Sequence, residues 1–284
     1  MLIEKKYLSV TLFTIIFVFF TLLVKNLQAA VFFHLLHGFE GGYKFTLINS
    51  SEMNNMIDKY NDHEMRENWN DSGYDYMEDY NFLNGFYVRY NLYKYLDKRE
   101  ERLSSYQFSA EFTRSYASSE SFFDYQFETA YRNYEYTHSS LMIDFTYGYS
   151  FYKNLLTYVE LGVGFDTFSI QSKLVTPENS VTSEVLAFEN EQFTTDTDST
   201  RMQNGVYSGN GYSIKIEIKN EYFVTNSFTV GLGLGLKYID IGELWKEDNK
   251  NLYFRRSQEE QDEFLYSAFD ISLKLGLGYY FILQ

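Results

Sequence analysis

The 284-residue chain contains no cysteine. That excludes a disulfide framework, a thiolate metal site, a thiol nucleophile and the lipid-attachment cysteine of a lipoprotein. It has one proline, Pro177, so almost nothing interrupts long strands. Beyond residues 8–24, no stretch approaches the ~20 consecutive apolar residues that a spanning helix requires. Basic residues are also scarce, with 24 Lys and Arg against 39 Asp and Glu, a net charge of −15. A chain this acidic repels nucleic acid, and that partner class is set aside.

Aromatic residues are abundant instead, 20% of the chain, with 28 Tyr and 27 Phe. That is more than a soluble core needs. Tyrosine suits a membrane–water boundary, because one end of its ring is apolar and the other is wet. The N-terminus, Met1–Ala30, reads as an export signal. Lys5 and Lys6 form its positive start, Leu8 to Val24 its apolar run, and Leu27-Gln-Ala-Ala30 a small-residue cleavage site. Lys25 and the length of the apolar run leave an uncleaved anchor as the alternative. If the remainder enters a membrane, it must do so as a closed barrel, since only helices and closed barrels satisfy their own backbone in lipid.

The stretch Phe269–Phe281 sets the pattern for the rest. Phe269, Ile271, Leu273, Leu275, Leu277, Tyr279 and Phe281 alternate with Asp270, Ser272, Lys274, Gly276, Gly278 and Tyr280. Strand side chains alternate faces, so one face is apolar and the other polar or small. Lys274, Gly276, Tyr279 and Phe281 supply a polar residue, a glycine two positions on, and apolar residues two apart. This resembles the C-terminal assembly signal of bacterial outer-membrane barrels, although Ile282, Leu283 and Gln284 follow the final aromatic. The resemblance is to the small eight-stranded OmpA/OmpX/OmpW type. It implies an all-β, single antiparallel up-and-down transmembrane barrel over residues 31–284, located in the outer membrane. The implied partners are outer-membrane lipids, lipopolysaccharide and the barrel assembly machinery, with the protein a monomer. A soluble β-sandwich is the competing fold.

The same alternation recurs in seven further segments: 39–48, 82–95, 103–115, 139–151, 156–169, 210–223 and 227–239. Four long polar connections separate them, 49–81, 116–138, 170–209 and 240–265, and these alternate with short turns. Bacterial barrels have short periplasmic turns, longer outer loops and an even strand number. Eight strands satisfy this when 116–138 is a loop or a projecting arm; ten is the alternative. Residues 51–59 within the first loop can form a short helix.

On this assignment the inward face carries Glu40, Lys44, Arg89, Glu111, Asp144, Glu160, Asp166, Lys215, Glu217, Lys219, Lys237, Asp270 and Lys274. Eight strands leave room only for side chains to fill the interior. Opposite charges there are expected to pair, because an unpaired buried charge is costly. Inward glycines gather in the C-terminal half, and Tyr87 and Tyr158 are expected to lean into the space they leave. A proton or ion path, or a narrow lumen, are the sharper alternatives.

The four long connections hold 27 acidic and 9 basic residues. The plain reading is a solvated outer surface. Clusters such as Asp71, Asp75, Glu78 and Asp79, or Glu259, Glu260, Asp262 and Glu263, lack the spacing of a known calcium loop. His138 and Ser140 lie two apart and share a strand face, which resembles the His-x-Ser of the outer-membrane lipid A deacylases. No matching acid is evident in sequence, and the paired-Asp and Asp-His arrangement of an omptin-type protease is not seen. The sequence therefore predicts no enzyme, no cofactor and no metal. It predicts a structural or surface-interaction role, with a passive channel for a small or hydrophobic solute as the alternative and the deacylase as a remote one.

Overall fold

The computed structural model describes residues 34–59, 61, 77–99, 102–125, 128–152, 154–175, 205–225, 227–247 and 264–283. The expected signal segment, Asp71, Asp75 and the cluster at 259–263 lie outside the described residues.

Nine strands and one described helix follow in chain order: β1 (His34–Asn49), α1 (Ser51–Lys59), β2 (Phe82–Arg99), β3 (Arg102–Tyr125), β4 (Glu128–Tyr152), β5 (Leu155–Val175), β6 (Gly205–Phe223), β7 (Phe228–Glu243), the two-residue β8 (Trp245–Lys246) and β9 (Leu265–Leu283). Each long strand pairs with its sequence neighbour, β9 pairs with β7 and β1, and β5 pairs with β6. The ring therefore closes on itself with eight long strands, and β8 is a short addition to β6. Closure leaves no sheet edge inside the ring, which is what a lipid environment demands of a β-structure. The alternation drives this arrangement: along β6 and β7 buried and exposed positions trade places at almost every step.

The connections at one end are short. β4 turns into β5 through Asn154, whose φ of 65° is the left-handed conformation that asparagine tolerates. Asn154 also accepts a hydrogen bond from the Phe223 amide at 2.9 Å, tying this turn to the end of β6.

Of the alternatives for residues 116–138, the structure takes the projecting arm: β3 runs to Tyr125 and β4 begins at Glu128, paired from Tyr116↔Thr137 up to Tyr125↔Glu128. The ring keeps eight long strands. Backbone pairing carries the hairpin where the apolar alternation has faded. The loops 170–209 and 240–265 begin later and end earlier than expected. β5 reaches Val175, β6 starts at Gly205, β7 runs to Glu243 and β9 starts at Leu265.

The helix expected at 51–59 is present. Ser50 caps it, its hydroxyl accepting from the Met53 amide at 3.4 Å. Met53, Met56 and Ile57, at i, i+3 and i+4, are buried. Asn54 and Asn61 pin the returning chain, for the Asn54 side chain accepts from the Tyr80 amide at 3.0 Å and Asn61 brackets Met77 with two 2.9 Å bonds.

Candidate functional site

All thirteen charged residues expected on the inward face are buried in the barrel interior. They and their neighbours form three layers beneath an apolar plug.

The central layer is an ion-pair cluster around Arg89, which is 0% exposed. Arg89 donates from Nε to Glu111 at 3.0 Å and from Nη2 to Glu160 at 2.7 Å, with a further short bond from Nη2 to Glu111. Lys215 lies 2.5 Å from Glu160 and 2.9 Å from Asp144. Lys274 lies 2.5 Å from Glu111 and 2.7 Å from Glu217. Lys219 pairs with Glu40, which also accepts from the Tyr87 hydroxyl at 2.8 Å. Oxygens of Glu111, Glu160 and Glu217 lie within 4.8 Å of one another, close enough to share a metal ion. The guanidinium and two ammonium groups already bridge those oxygens and do that neutralising work themselves.

The layer nearest the short turns is a hydroxyl and amide network. Glu221 accepts from Tyr158 at 2.7 Å, Tyr280 at 2.7 Å and Thr229 at 3.0 Å. Asn91 donates to the Tyr280 hydroxyl at 3.1 Å, and Gln107 donates to Asn91. The network thus spans β2, β3, β5, β6, β7 and β9. Glu221 was not among the expected site residues, although it continues the Glu217, Lys219 alternation by one more step.

The layer nearest the long loops contains His138, whose Nε2 is 2.8 Å from Asp166 Oδ1. Lys237 donates to the same Asp166 oxygen at 2.5 Å and to Ser140 Oγ at 2.8 Å. The structure therefore supplies the acid partner that the sequence did not reveal. The group faces inward, with His138 2% and Ser140 1% exposed. Ser140 is held by an ammonium rather than by the imidazole, and neither group meets the lipid face where an acyl chain lies. Lys44 and Asp270 are buried nearby, but among the described residues neither joins an ion pair, and both Asp270 oxygens lack a hydrogen-bond partner.

Above this layer sits the plug. Met53, Met56 and Ile57 of α1 cluster with Met77, Tyr80, Tyr136, Phe168, Tyr207, Ile241, Leu244 and Tyr266. Phe168 stacks on Tyr266 with ring centroids 3.9 Å apart, and Tyr80 lies 4.6 Å from Tyr136. Burial pushes the Tyr80 hydroxyl well above its ordinary value; it shares a 3.4 Å contact with the Tyr266 hydroxyl.

Inward glycines give way to large neighbours. A Cβ on Gly276 would lie 1.8 Å from the Tyr87 hydroxyl, and one on Gly148 would lie 2.2 Å from the Tyr158 ring. Tyr87 thus fills space left in the C-terminal half, as expected, whereas Tyr158 fills space left by β4.

The outer face completes the picture. Along β7 the outward residues are Phe228, Val230, Leu232, Leu234, Leu236 and Tyr238, aromatic at both ends. Eleven residues at ~3.4 Å per step and a tilt of ~40° stand roughly 26 Å tall, the height of the apolar band on such barrels. Ile214, Ile216 and Ile218 of β6 and Ile271, Leu273, Leu275 and Leu277 of β9 are exposed in the same way. An exposed apolar belt around a closed ring fits lipid and fits no aqueous surface.

The chain is a closed eight-stranded β-barrel with an apolar outer face, the architecture of a barrel that crosses a membrane with its strands. No helix among the described residues is long and apolar enough to cross a membrane. No protein-family model and no curated protein matches the chain. Among solved structures it is similar to Ail, the attachment invasion locus protein of Yersinia pestis. That match is at 10% identity over 87% of this chain and 99% of that one, with a TM-score of 0.37. Neisserial surface protein A is similar at 10% identity, covering 86% of this chain and 97% of that one, with a TM-score of 0.40. The outer membrane protease OmpT of Escherichia coli is similar at 9% identity, covering 89% and 99%, with a TM-score of 0.34. Scores this low carry no functional argument, and the architecture rests on the closed ring and its apolar outer face.

Proposed function

We propose that this outer-membrane barrel anchors a surface for interaction at the outside of the cell and does not pass solute. The observation that supports this is an interior occupied from end to end: a hydroxyl network, an ion-pair cluster, the His138 group and an apolar plug fill the ring in sequence. Eight strands enclose only enough space for such packing.

What rises above the belt is substantial. β4 extends 11 residues beyond Ser139 toward the long loops, about 37 Å of strand at ~3.4 Å per residue. β3 pairs with β2 as far as Tyr116, and beyond it Ala117–Tyr125 pairs with β4. Outer-membrane lipids, lipopolysaccharide and the barrel assembly machinery are the partners this reading carries, the last through Lys274, Gly276, Tyr279 and Phe281. Lys274 and Gly276 are buried, whereas Tyr279 and Phe281 are exposed on the outer face.

The test is conductance in planar bilayers. The reading expects a silent membrane across the usual voltage range, and discrete current steps from the purified barrel would overturn it. Orientation is tested separately. A cysteine at Ser118, in a chain with no other cysteine, should react with a membrane-impermeant maleimide on intact cells.

A further inference from the structure

The charges inside the ring do not balance. The thirteen charged residues of the inward set comprise seven carboxylates and six lysines and arginines, and Glu221 adds an eighth carboxylate. Two carboxylates are therefore in excess. In the layer of His138, Asp166 and Asp270 are matched in number by Lys237 and Lys44. In the layer nearest the short turns the odd carboxylate is Glu221. Three hydroxyls donate to it at 2.7, 2.7 and 3.0 Å, and donors of this kind stabilise the ionised form. The second excess lies in the central layer, where Glu40, Glu111, Asp144, Glu160 and Glu217 face four cations, Arg89, Lys215, Lys219 and Lys274.

Hydrogen bonding singles out one of the five. Glu40 accepts from Tyr87, Glu111 and Glu160 from Arg89, and Glu217 from Lys274. Asp144 is 0% exposed, and neither of its oxygens has a hydrogen-bond partner. The charged groups that face it are Arg89 from β2, Glu111 from β3, Glu160 from β5 and Lys215 from β6. Lys215 is 2.9 Å from Asp144, but it stands closer to Glu160, at 2.5 Å, and also donates to Glu111 at 3.3 Å. One ammonium is thus divided among three carboxylates. The Arg89 guanidinium is 4.0 Å away and committed to Glu111 and Glu160.

The backbone holds the carboxyl in this place. Gly162 lies opposite Asp144 on β5, and a Cβ there would stand 2.2 Å from Asp144 Oδ1. On the other side Ser109 of β3 is paired with Asp144, and its buried hydroxyl oxygen has no partner and can accept an acid proton. An ionised carboxylate taken out of water without donors or a cation of its own is costly, and such a group neutralises instead. A metal ion is the wrong source of the missing charge, because Lys215 and Arg89 stand close enough to repel it. We propose that Asp144 is a proton-binding site, occupied at neutral pH, which brings the central layer to four charges of each sign. The barrel then takes up one proton from water as it folds, and its assembly is linked to pH.

The test uses the full barrel in lipid vesicles. Wild type and Asp144→Asn, which carries no charge at that site, are unfolded in urea from about pH 5 to about pH 7. The ratio of their unfolding constants, wild type over variant, should rise about tenfold per pH unit, because only the wild type gives up the bound proton on unfolding. Taking the ratio cancels the titration of His138 and of the loops. The second readout is infrared absorption. At neutral pH the wild type should show the band of a protonated carboxyl group, which Asp144→Asn removes and Asp270→Asn leaves in place. Should Asp144→Asn lose the heat-modifiable gel mobility of a folded barrel, Asp144→Ser replaces it in both readouts. A ratio that stays flat across this range, or a wild type without the band, would overturn the site. A ratio that follows sodium concentration at fixed pH would assign the missing charge to a metal ion and overturn it equally.

Discussion

Removing Arg89 is the sharpest perturbation of the interior. Around it lie five carboxylates, Glu40, Glu111, Asp144, Glu160 and Glu217, and three ammonium groups paired with them, those of Lys215, Lys219 and Lys274. Counted as ionised groups, four positive charges face five negative ones with Arg89 present; without it, three face five. Arg89→Leu also removes three short hydrogen bonds to Glu111 and Glu160, all in a region with essentially no solvent exposure. Breaking a buried ion pair by taking one partner typically costs about 3–5 kcal/mol, most of it from the charge left behind. The expected loss is therefore in that range, read as a drop in the urea midpoint of the folded barrel in lipid vesicles. The mechanism makes a second demand. Arg89→Leu combined with Glu160→Gln removes the arginine together with one orphaned charge, restores three against four, and should recover roughly half of the loss. A single substitution costing under ~1 kcal/mol, or a double no better than the single, would refute the claim that charge balance holds this layer together.

Four further outcomes follow from other parts of the molecule. Leu234→Arg places a charge near the middle of the belt and should cost about 2–4 kcal/mol of stability in bilayers, whereas Tyr238→Arg at the rim should cost about 0–1. Phe168→Ala opens the plug beneath Tyr266 and should cost about 3–5 kcal/mol, read in the same urea titration. Ile57→Asp buries a charge where α1 meets the plug; protease should then cut the first loop faster while the barrel keeps its heat-modifiable mobility. His138→Ala should leave lipid A acylation unchanged in cells, since the imidazole faces the interior and is committed to Asp166.

The sequence spoke most clearly where lipid imposes a rule. Alternation of Ile214, Ile216 and Ile218 with Ser213, Lys215, Glu217 and Lys219 is legible because the two faces meet opposite solvents. The inward set followed from that alternation alone. Once a strand leaves the belt the contrast disappears. Ala117, Ser118, Ser119, Glu120 and Ser121 carry no apolar face, so the sequence left loop and projecting arm both open, although the backbone pairs from Tyr116↔Thr137 to Tyr125↔Glu128. The plug was illegible for another reason. Met53, Met56 and Ile57 mark an amphipathic turn, but their partners Tyr80, Phe168, Tyr207 and Tyr266 come from segments brought together only by closing the ring. The Asp166 partner of His138 was hidden likewise: 28 residues separate the two, and register places them on neighbouring strands. The register shift between Asp240 and Gly242 is likewise one that periodicity does not announce.

Nitroxide scanning tests the central claim most directly, because a chain free of cysteine gives single-site labels without background. Labels at Ile214, Ile216, Ile218, Leu232, Leu234 and Leu236 in lipid vesicles should collide strongly with oxygen and weakly with a water-soluble nickel complex, while labels at Ser213 and Ser272 should collide weakly with both. High nickel accessibility at the isoleucine and leucine positions, or oxygen accessibility that fails to alternate along the strand, would contradict a filled barrel with its apolar face in lipid.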